Sequence, residues 1–187
     1  MVIGLGNPGA EYEGTRHNLG ADVIAMLASR HNAPLKRGKE RALVGEARLD
    51  GKLLALAFPQ TFVNLSGESV ARLVRRYGVD DDITRVVVVH DELDLPPGRV
   101  KIKEGGGTAG HNGLESIRSH LRSGAFTRVR IGIGKPPGRQ AGADFVLRPA
   151  RKAERTEFDV AVVEAADAVE LIFTDGVAGA MNRINQL

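Results

Sequence analysis

The 187-residue sequence contains no cysteine and no tryptophan, and only two tyrosines and six phenylalanines. Without thiols it has neither a disulfide framework nor a thiolate metal site, which suits a reducing compartment. So few rings leave little from which to build a base-stacking platform for single-stranded nucleic acid. No apolar run approaches the ~20 residues of a membrane span, and the first residues lack the basic and apolar regions of a secretory signal. The expectation is a cytoplasmic protein with no membrane partner. "HDEL" at 90–93 is internal and cannot act as a retention signal. A G-x-S-x-G elbow and an H-E-x-x-H pair are also missing, so the commonest serine-hydrolase and zinc-protease designs are unmarked.

What is present is ordinary in bulk and uneven in detail. A hydrophobic fraction of 42% and a length of 187 residues predict one domain, 1–187, with a substantial core. The formal charge is only +3, but the positive side chains are grouped. Lys36, Arg37, Lys39 and Arg41 form one group, and Arg99, Lys101 and Lys103 a second. Arg118, Arg122, Arg128, Arg130, Lys135 and Arg139 form a third. Any one group reads as a solvated face; together they point to a polyanionic partner.

Apolar runs bounded by turn residues predict strands at Val2–Leu5, Leu43–Leu49, Leu53–Phe58, Val86–Val89 and Val129–Ile133. "RVKIK" at 99–103 alternates as a half-exposed strand does. Helical spacing marks Asn18–His31, Ser66–Tyr77, Asn112–Arg122 and a long C-terminal helix, roughly Ala153–Phe173, stopping near Asp175-Gly176. Helices interleaved with buried strands imply an α/β fold: a three-layer α/β/α domain around a twisted, mostly parallel, mixed sheet. Ligands of such sheets bind beyond the strands' C-terminal ends. Asn7, Asn64 and Asp91 each follow a predicted strand, so they share one cleft if those strands are parallel and adjacent.

The opening "MVIGLGNPGAEYEGTRHNLG" matches G-x-G-x-x-G at Gly4, Gly6 and Gly9. A dinucleotide loop would open a helix at the third glycine and show a carboxylate about 20 residues on. Here Gly9 leads into polar residues, and "SRHNAPLKR" supplies no carboxylate. "GGGTAGHN" at 105–112 has His111 where a phosphate-binding loop carries lysine. It reads either as helix-terminal amides facing an anion or as a connection with Asn112 as N-cap.

Among the histidines, His31 and His120 lie late in helices, whereas His17 sits in the polar "TRHN" segment before the first helix. With an acid to orient it, His17 makes a general base, and Asp91, directly after a buried strand, is the best-placed orienter. His90, Asp91, Glu92 and Asp94 raise a metal alternative, but their spacing fits no established ligand pattern, and strand alternation turns His90 and Asp91 opposite ways.

Four ordered segments then carry a resemblance that covers nearly the whole chain: "GLGNPGAEYEGTRHNLG", "PQTFVNLSGESV", "HDELDLPPGRVKIKEGGGTAGHNGLESI" and "FTRVRIGIGKPPG". With "FTDGVAGAMNRIN" near the C-terminus, the sequence resembles the bacterial peptidyl-tRNA hydrolase family. The resemblance implies hydrolysis of the ester joining a peptide to the 3′-terminal ribose of tRNA, without metal or cofactor, which recycles tRNA from peptides dropped by ribosomes; nothing in the sequence demands an oligomer, so a monomer is the simple expectation. It implies that His17 activates water, that Asp91 holds it ready, and that Asn7 distinguishes N-blocked from free aminoacyl substrates. Tyr12, Phe62, Asn64 and Asn112 would contact the tRNA terminus or the adjoining peptide, and Lys101, Lys103 and Arg130 its phosphates. Val63 departs from the family, which usually has Met there. Two rivals stand beside this reading: a non-catalytic RNA-binding module, and a metal-dependent hydrolase centred on Asp91, Glu92 and Asp94.

Overall fold

A computed structural model describes residues 1–136, 138 and 142–186; Arg139 of the third basic group lies outside them. The strands are β1 (Val2–Gly4), β2 (Lys36–Arg37), β3 (Ala42–Leu49) and β4 (Lys52–Pro59). They continue with β5 (Val87–Glu92), β6 (Val100–Glu104) and β7 (Thr127–Gly132). They form one sheet in the order β2-β3-β4-β1-β5-β7-β6. The pairings β4-β1, β1-β5 and β5-β7 are parallel; the outer pairings β2-β3, β3-β4 and β6-β7 are antiparallel. β4, β1 and β5 are therefore parallel neighbours, and the segments after Pro59, Gly4 and Glu92 emerge side by side.

Helices α1 (Leu19–Arg30), α2 (Ser66–Arg76), α3 (Asn112–Leu121), α4 (Gly142–Val146) and α5 (Lys152–Ile184) complete the fold. Strand alternation sorts the core into two layers. Val87, Val89, Val129 and Ile131 pack with Leu19, Val23 and Leu27 of α1 and with Phe158, Val162 and Val169 of α5. On the other face Ile3, Leu5 and Val88 pack with Val70 and Leu73 of α2 and with Leu114 and Ile117 of α3. The result is the three-layer α/β/α arrangement. Among the described residues, no helix is long and apolar enough to cross a membrane.

Three features depart from the sequence expectation. The two residues of β2 carry no apolar pattern, and their strand exists only through pairing with β3. α4 is too short to show a period. The C-terminal helix does break at Gly176, whose φ of 75° leaves the helical region, but it resumes and runs to Ile184. That second segment buries Ala180 and Ile184 and delivers Asn185 to the sheet edge. There the Asn185 side chain accepts from Ile102 N at 2.8 Å and donates to Ile102 O at 3.0 Å, covering the free edge of β6.

The opening glycines serve packing rather than a dinucleotide. A Cβ on Gly4 would run into the Gly20 carbonyl, and one on Gly20 into the Val89 carbonyl and Leu5 backbone. This contact lets the first turn of α1 sit directly on β1 and β5, with Ala21 N donating to Leu5 O at 3.1 Å. It also fixes how His17, two residues ahead of α1, stands relative to Asp91, two residues after Val89.

Helix propensity alone makes Gly20→Ala stabilising by about 1 kcal/mol. Overpacking against backbone opposes this by about 1–3 kcal/mol and should win. We expect a lower urea midpoint for Gly20→Ala; an unchanged or raised midpoint would show that α1 can shift freely.

Candidate active site

A cleft of about 490 Å³ opens where β1, β4 and β5 end, and its walls include Asn7, Tyr12, His17, Phe62, Asn64, Asp91 and Asn112. These residues come from four separate segments of the sequence. Val146 and Leu147 at the end of α4 close one side, and Leu93 contributes a further apolar surface. At the mouth the Tyr12 and Phe62 rings meet edge to face, with centroids 6.3 Å apart.

His17 and Asp91 are in contact. His17 Nδ1 lies 2.9 Å from Asp91 Oδ1, and the Asp91 side chain is 2% exposed. A carboxylate accepts, so the proton is on Nδ1 and Nε2 is left as the free basic nitrogen. Burial disfavours the imidazolium, but the charge and hydrogen bond of Asp91 outweigh it, and the His17 pKa is raised above its ordinary value. Burial would likewise push the Asp91 carboxyl up, yet the two imidazoles facing it hold it well below the usual carboxylate range.

The second imidazole is His111, which the sequence marks only as the place where a phosphate-binding loop would carry lysine. Its Nε2 lies 3.0 Å from the same Oδ1 of Asp91. Its Nδ1 accepts from Gly113 N at 3.1 Å and Leu114 N at 3.4 Å, so His111, not Asn112, is the N-cap of α3. Asn112 is the first helical residue and lines the cleft. A signal for His111 is nevertheless present: His-Asn stands where a helix begins twice, at 17–18 just before α1 and at 111–112 at the start of α3.

His17, Asp91 and His111 bring one ligand atom each within 4.8 Å of one another. The donor chemistry does not suit a cation. Because His111 Nδ1 accepts from two amides, the ring proton sits on Nε2, where a metal would need a lone pair. The other metal set is dispersed: Asp91 meets the two histidines, Glu92 Oε2 accepts from Arg130 Nε at 3.1 Å, and Asp94 pairs with Lys135 at 3.3 Å. His90 is 1% exposed, and burial pushes its pKa down to about 3, so it stays neutral. Its Nδ1 donates to the Asp91 carbonyl at 2.7 Å, and its ring packs edge-on to His111.

Asn7 is held from two sides. Its backbone N–H donates to Asn18 Oδ1 and its carbonyl accepts from Asn18 Nδ2, both at 2.9 Å. Val63 N donates to Asn7 Oδ1 at 2.8 Å. An amide N–H can only donate, which assigns the oxygen inward and leaves the Nδ2 donors of Asn7 for the cleft. Val63 is buried against Gly113 and supplies this backbone contact whatever its side chain.

The turn carrying His17 is riveted by its neighbour. Arg16, 5% exposed, makes bonds of 2.8 and 2.9 Å to both oxygens of Glu154. It also donates to the carbonyls of Phe145 and Arg148 at 3.3 and 3.2 Å and lies 4.2 Å from the Phe145 ring centroid. One buried guanidinium thus ties the turn that carries His17 to the α4 wall.

Lys101, Lys103 and Arg130 are absent from the cleft lining. Val100 and Ile102 face α5, so alternation turns Lys101 and Lys103 to the opposite side of the sheet. There Lys101 pairs in register with Arg130, and Lys103 with Arg128. Lys101 and Lys103 of the second basic group and Arg128 and Arg130 of the third therefore share one face of the sheet.

The peptidyl-tRNA hydrolase family model matches residues 1–187. The chain is 52% identical to the peptidyl-tRNA hydrolase of Nocardia farcinica, covering 99% of this chain and 95% of that one. It is 48% identical to that of Cutibacterium acnes, covering 99% and 97%. Its fold superposes on a crystal structure of the Acinetobacter baumannii peptidyl-tRNA hydrolase with a TM-score of 0.92 at 38% identity, covering 98% and 93%.

Asn18→Ala should destabilise the protein by about 2–3 kcal/mol, since it strands two polar groups of the buried Asn7 backbone. Chemical denaturation measures this; a loss below about 0.5 kcal/mol would mean that water or another group replaces Asn18 without difficulty.

Proposed function

The chain belongs to the peptidyl-tRNA hydrolase family and hydrolyses peptidyl-tRNA, and from that premise we propose a metal-free mechanism in which His17 is the general base. The observation that carries it is the 2.9 Å bond from His17 Nδ1 to Asp91 Oδ1 inside a cleft lined by three asparagines. Asp91 keeps the proton on Nδ1 and thus keeps Nε2 available to take a proton from water. The resulting hydroxide attacks the ester carbonyl, the tetrahedral oxyanion forms, and the ribose oxygen leaves with the proton returned by His17. An ester has a better leaving group than an amide, so one base and a water nucleophile suffice.

The asparagines have different tasks. Asn64 and Asn112 are neutral donors for the oxyanion, where a single well-placed donor contributes roughly 10²–10³-fold in rate. Asn7 offers an N–H to the cleft and no free acceptor. It suits the carbonyl of an N-blocked residue and offers nothing to a free α-ammonium group, which is itself only a donor. Tyr12 and Phe62 supply an apolar edge for the peptide or the terminal nucleotide. Lys101, Lys103 and Arg130 bind backbone phosphates, which allows one enzyme to accept many tRNAs. All of these residues lie in one chain, so a monomer suffices.

Three measurements test this reading. His17→Ala should lower kcat by roughly 10²–10⁴-fold while tRNA binding persists. Turnover needs neutral His17, so the acid limb of kcat/KM should lie above pH 6.5, the ordinary imidazole value from which His17 is raised. In Asp91→Asn burial acts alone, so the limb should move down as kcat falls; an unmoved limb with unchanged kcat removes Asp91 from the mechanism.

Substituting Lys103 and Arg130 together should weaken tRNA binding and reduce the slope of log Kd against log salt by about one for each phosphate that is no longer neutralised. A constant slope in filter binding would mean that these side chains are merely solvated. N-acetylaminoacyl-tRNA should be hydrolysed and its unblocked counterpart spared, with or without chelator. A non-catalytic RNA-binding module would bind both and cleave neither.

A further inference from the structure

His111 joins two parts of the molecule. Toward α3 its Nδ1 accepts from the first-turn amides of Gly113 and Leu114, which fixes the neutral ring as the Nε2–H tautomer. Toward the cleft that Nε2 donates at 3.0 Å to Asp91 Oδ1, the oxygen that also accepts from His17 Nδ1 at 2.9 Å. His90 backs the arrangement, its ring centroid 5.0 Å from that of His111. A helix terminus therefore aims a donor at the acid that orients the base.

We propose that His111 is a positioning residue whose Nε2–H competes with His17 for one oxygen of Asp91, limiting how tightly the acid holds a proton on His17. Because the Asp91 side chain is almost wholly withdrawn from water, its charge is shared between its two donors rather than screened by solvent. An unshared Asp91 would raise the proton affinity of His17 further, and a more strongly held proton leaves less of the free base that accepts one from water. The best general base has a proton affinity near the working pH. His111 provides that restraint through the hydrogen bond from its Nε2.

Among the described residues, the other groups around His17 do not supply it. The titratable side chains of those residues that line the cleft are Tyr12, His17, Asp91, Glu92 and His111. Glu92 is engaged by Arg130, and Arg16, next to His17, turns away to Glu154. On α1, Asp22 is paired with Arg155 at 3.0 Å, and α4 contributes only Gly142, Ala143 and Val146 to the lining. His90 stays neutral behind His111. Asp91 is left as the charge that raises His17.

The test separates the cap from the donor. His111→Asn keeps a good N-cap for α3 but is too short to reach Asp91, and His111→Ser is a second variant of the same kind. The inference rests on the reading of His17 as base, so the first readout avoids turnover: an NMR titration of the His17 imidazole in the intact protein. Both variants should raise its midpoint by about half a unit to one unit, an increase of about three- to tenfold in proton affinity. A midpoint that stays or falls overturns the inference, whatever happens to rate or stability. In an Asp91→Asn background the same substitutions should leave the midpoint in place, and movement there also overturns it. The acid limb of kcat/KM should follow the NMR midpoint upward. If the resonance moves and the limb does not, the competition at Asp91 stands and His17 is not the base.

Discussion

One carboxylate oxygen organises this protein. Asp91 Oδ1 accepts from His17 and from His111, and the acid is almost wholly withdrawn from water. A buried carboxylate is unfavourable unless its charge is met by donors, and here the two donors come from segments far apart in sequence. Each serves a second purpose. His17 presents its free nitrogen to the cleft, while His111 completes the hydrogen bonding of the α3 N-terminus. Closing the fold and arming the site are thus the same set of bonds.

The backbone makes this meeting possible through close approach. α1 can start directly over β1 and β5 because Gly4 and Gly20 have no side chains to separate them. That contact brings the turn at 16–18 down onto the end of β5, and Arg16 then locks the turn to Glu154 and to the carbonyls of Phe145 in α4 and Arg148 just after it. Asn18, at the foot of the same turn, clasps the backbone of Asn7. Three consecutive residues therefore act on three different partners: Arg16 on the cleft wall, His17 on the acid, and Asn18 on the strand-end asparagine. The glycine pattern resembles a dinucleotide loop because both need a helix held close to a strand, but here the polar insert before α1 brings His17 to Asp91.

Much of this is legible in the sequence, for reasons that also mark its limits. Periodicity locates the long elements because their burial is one-sided, and "VVVV" running into "HDEL" identifies the central strand and its functional end. β2 and α4 have no such pattern, being held by neighbours rather than by their own residues. Gly176 does mark a helix break, yet nothing local says that burial of Ala180 and Ile184 restarts the helix beyond it. The pairing of His17 with Asp91 follows from asking which histidine lies near a strand-end acid. His111 escapes because Asn is the stronger capping residue, and Asn112 stands beside it. The cap preference is overridden by a tertiary partner: only an imidazole spans from the helix amides to Asp91.

The basic face shows how charge is kept apart from chemistry. Lys101 lies opposite Arg130 and Lys103 opposite Arg128 across the β6-β7 ladder, an arrangement that like-charge repulsion disfavours. Two local devices offset it. Arg128 donates to the carbonyls of Gly106 and Gly107, and Arg130 is held by Glu92. Glu92 directly follows Asp91 on β5, so adjacent residues of one strand face two different surfaces. Asp91 turns to His17 in the cleft, and Glu92 turns to Arg130 of the basic face. A rigid strand thereby fixes the spacing between the basic face and the cleft, which a pair of independently mobile loops could not do. Lys101, Lys103, Arg128 and Arg130 stay out of the cleft lining, so their positive charges are held apart from the His17–Asp91 pair by the strand that connects the two surfaces.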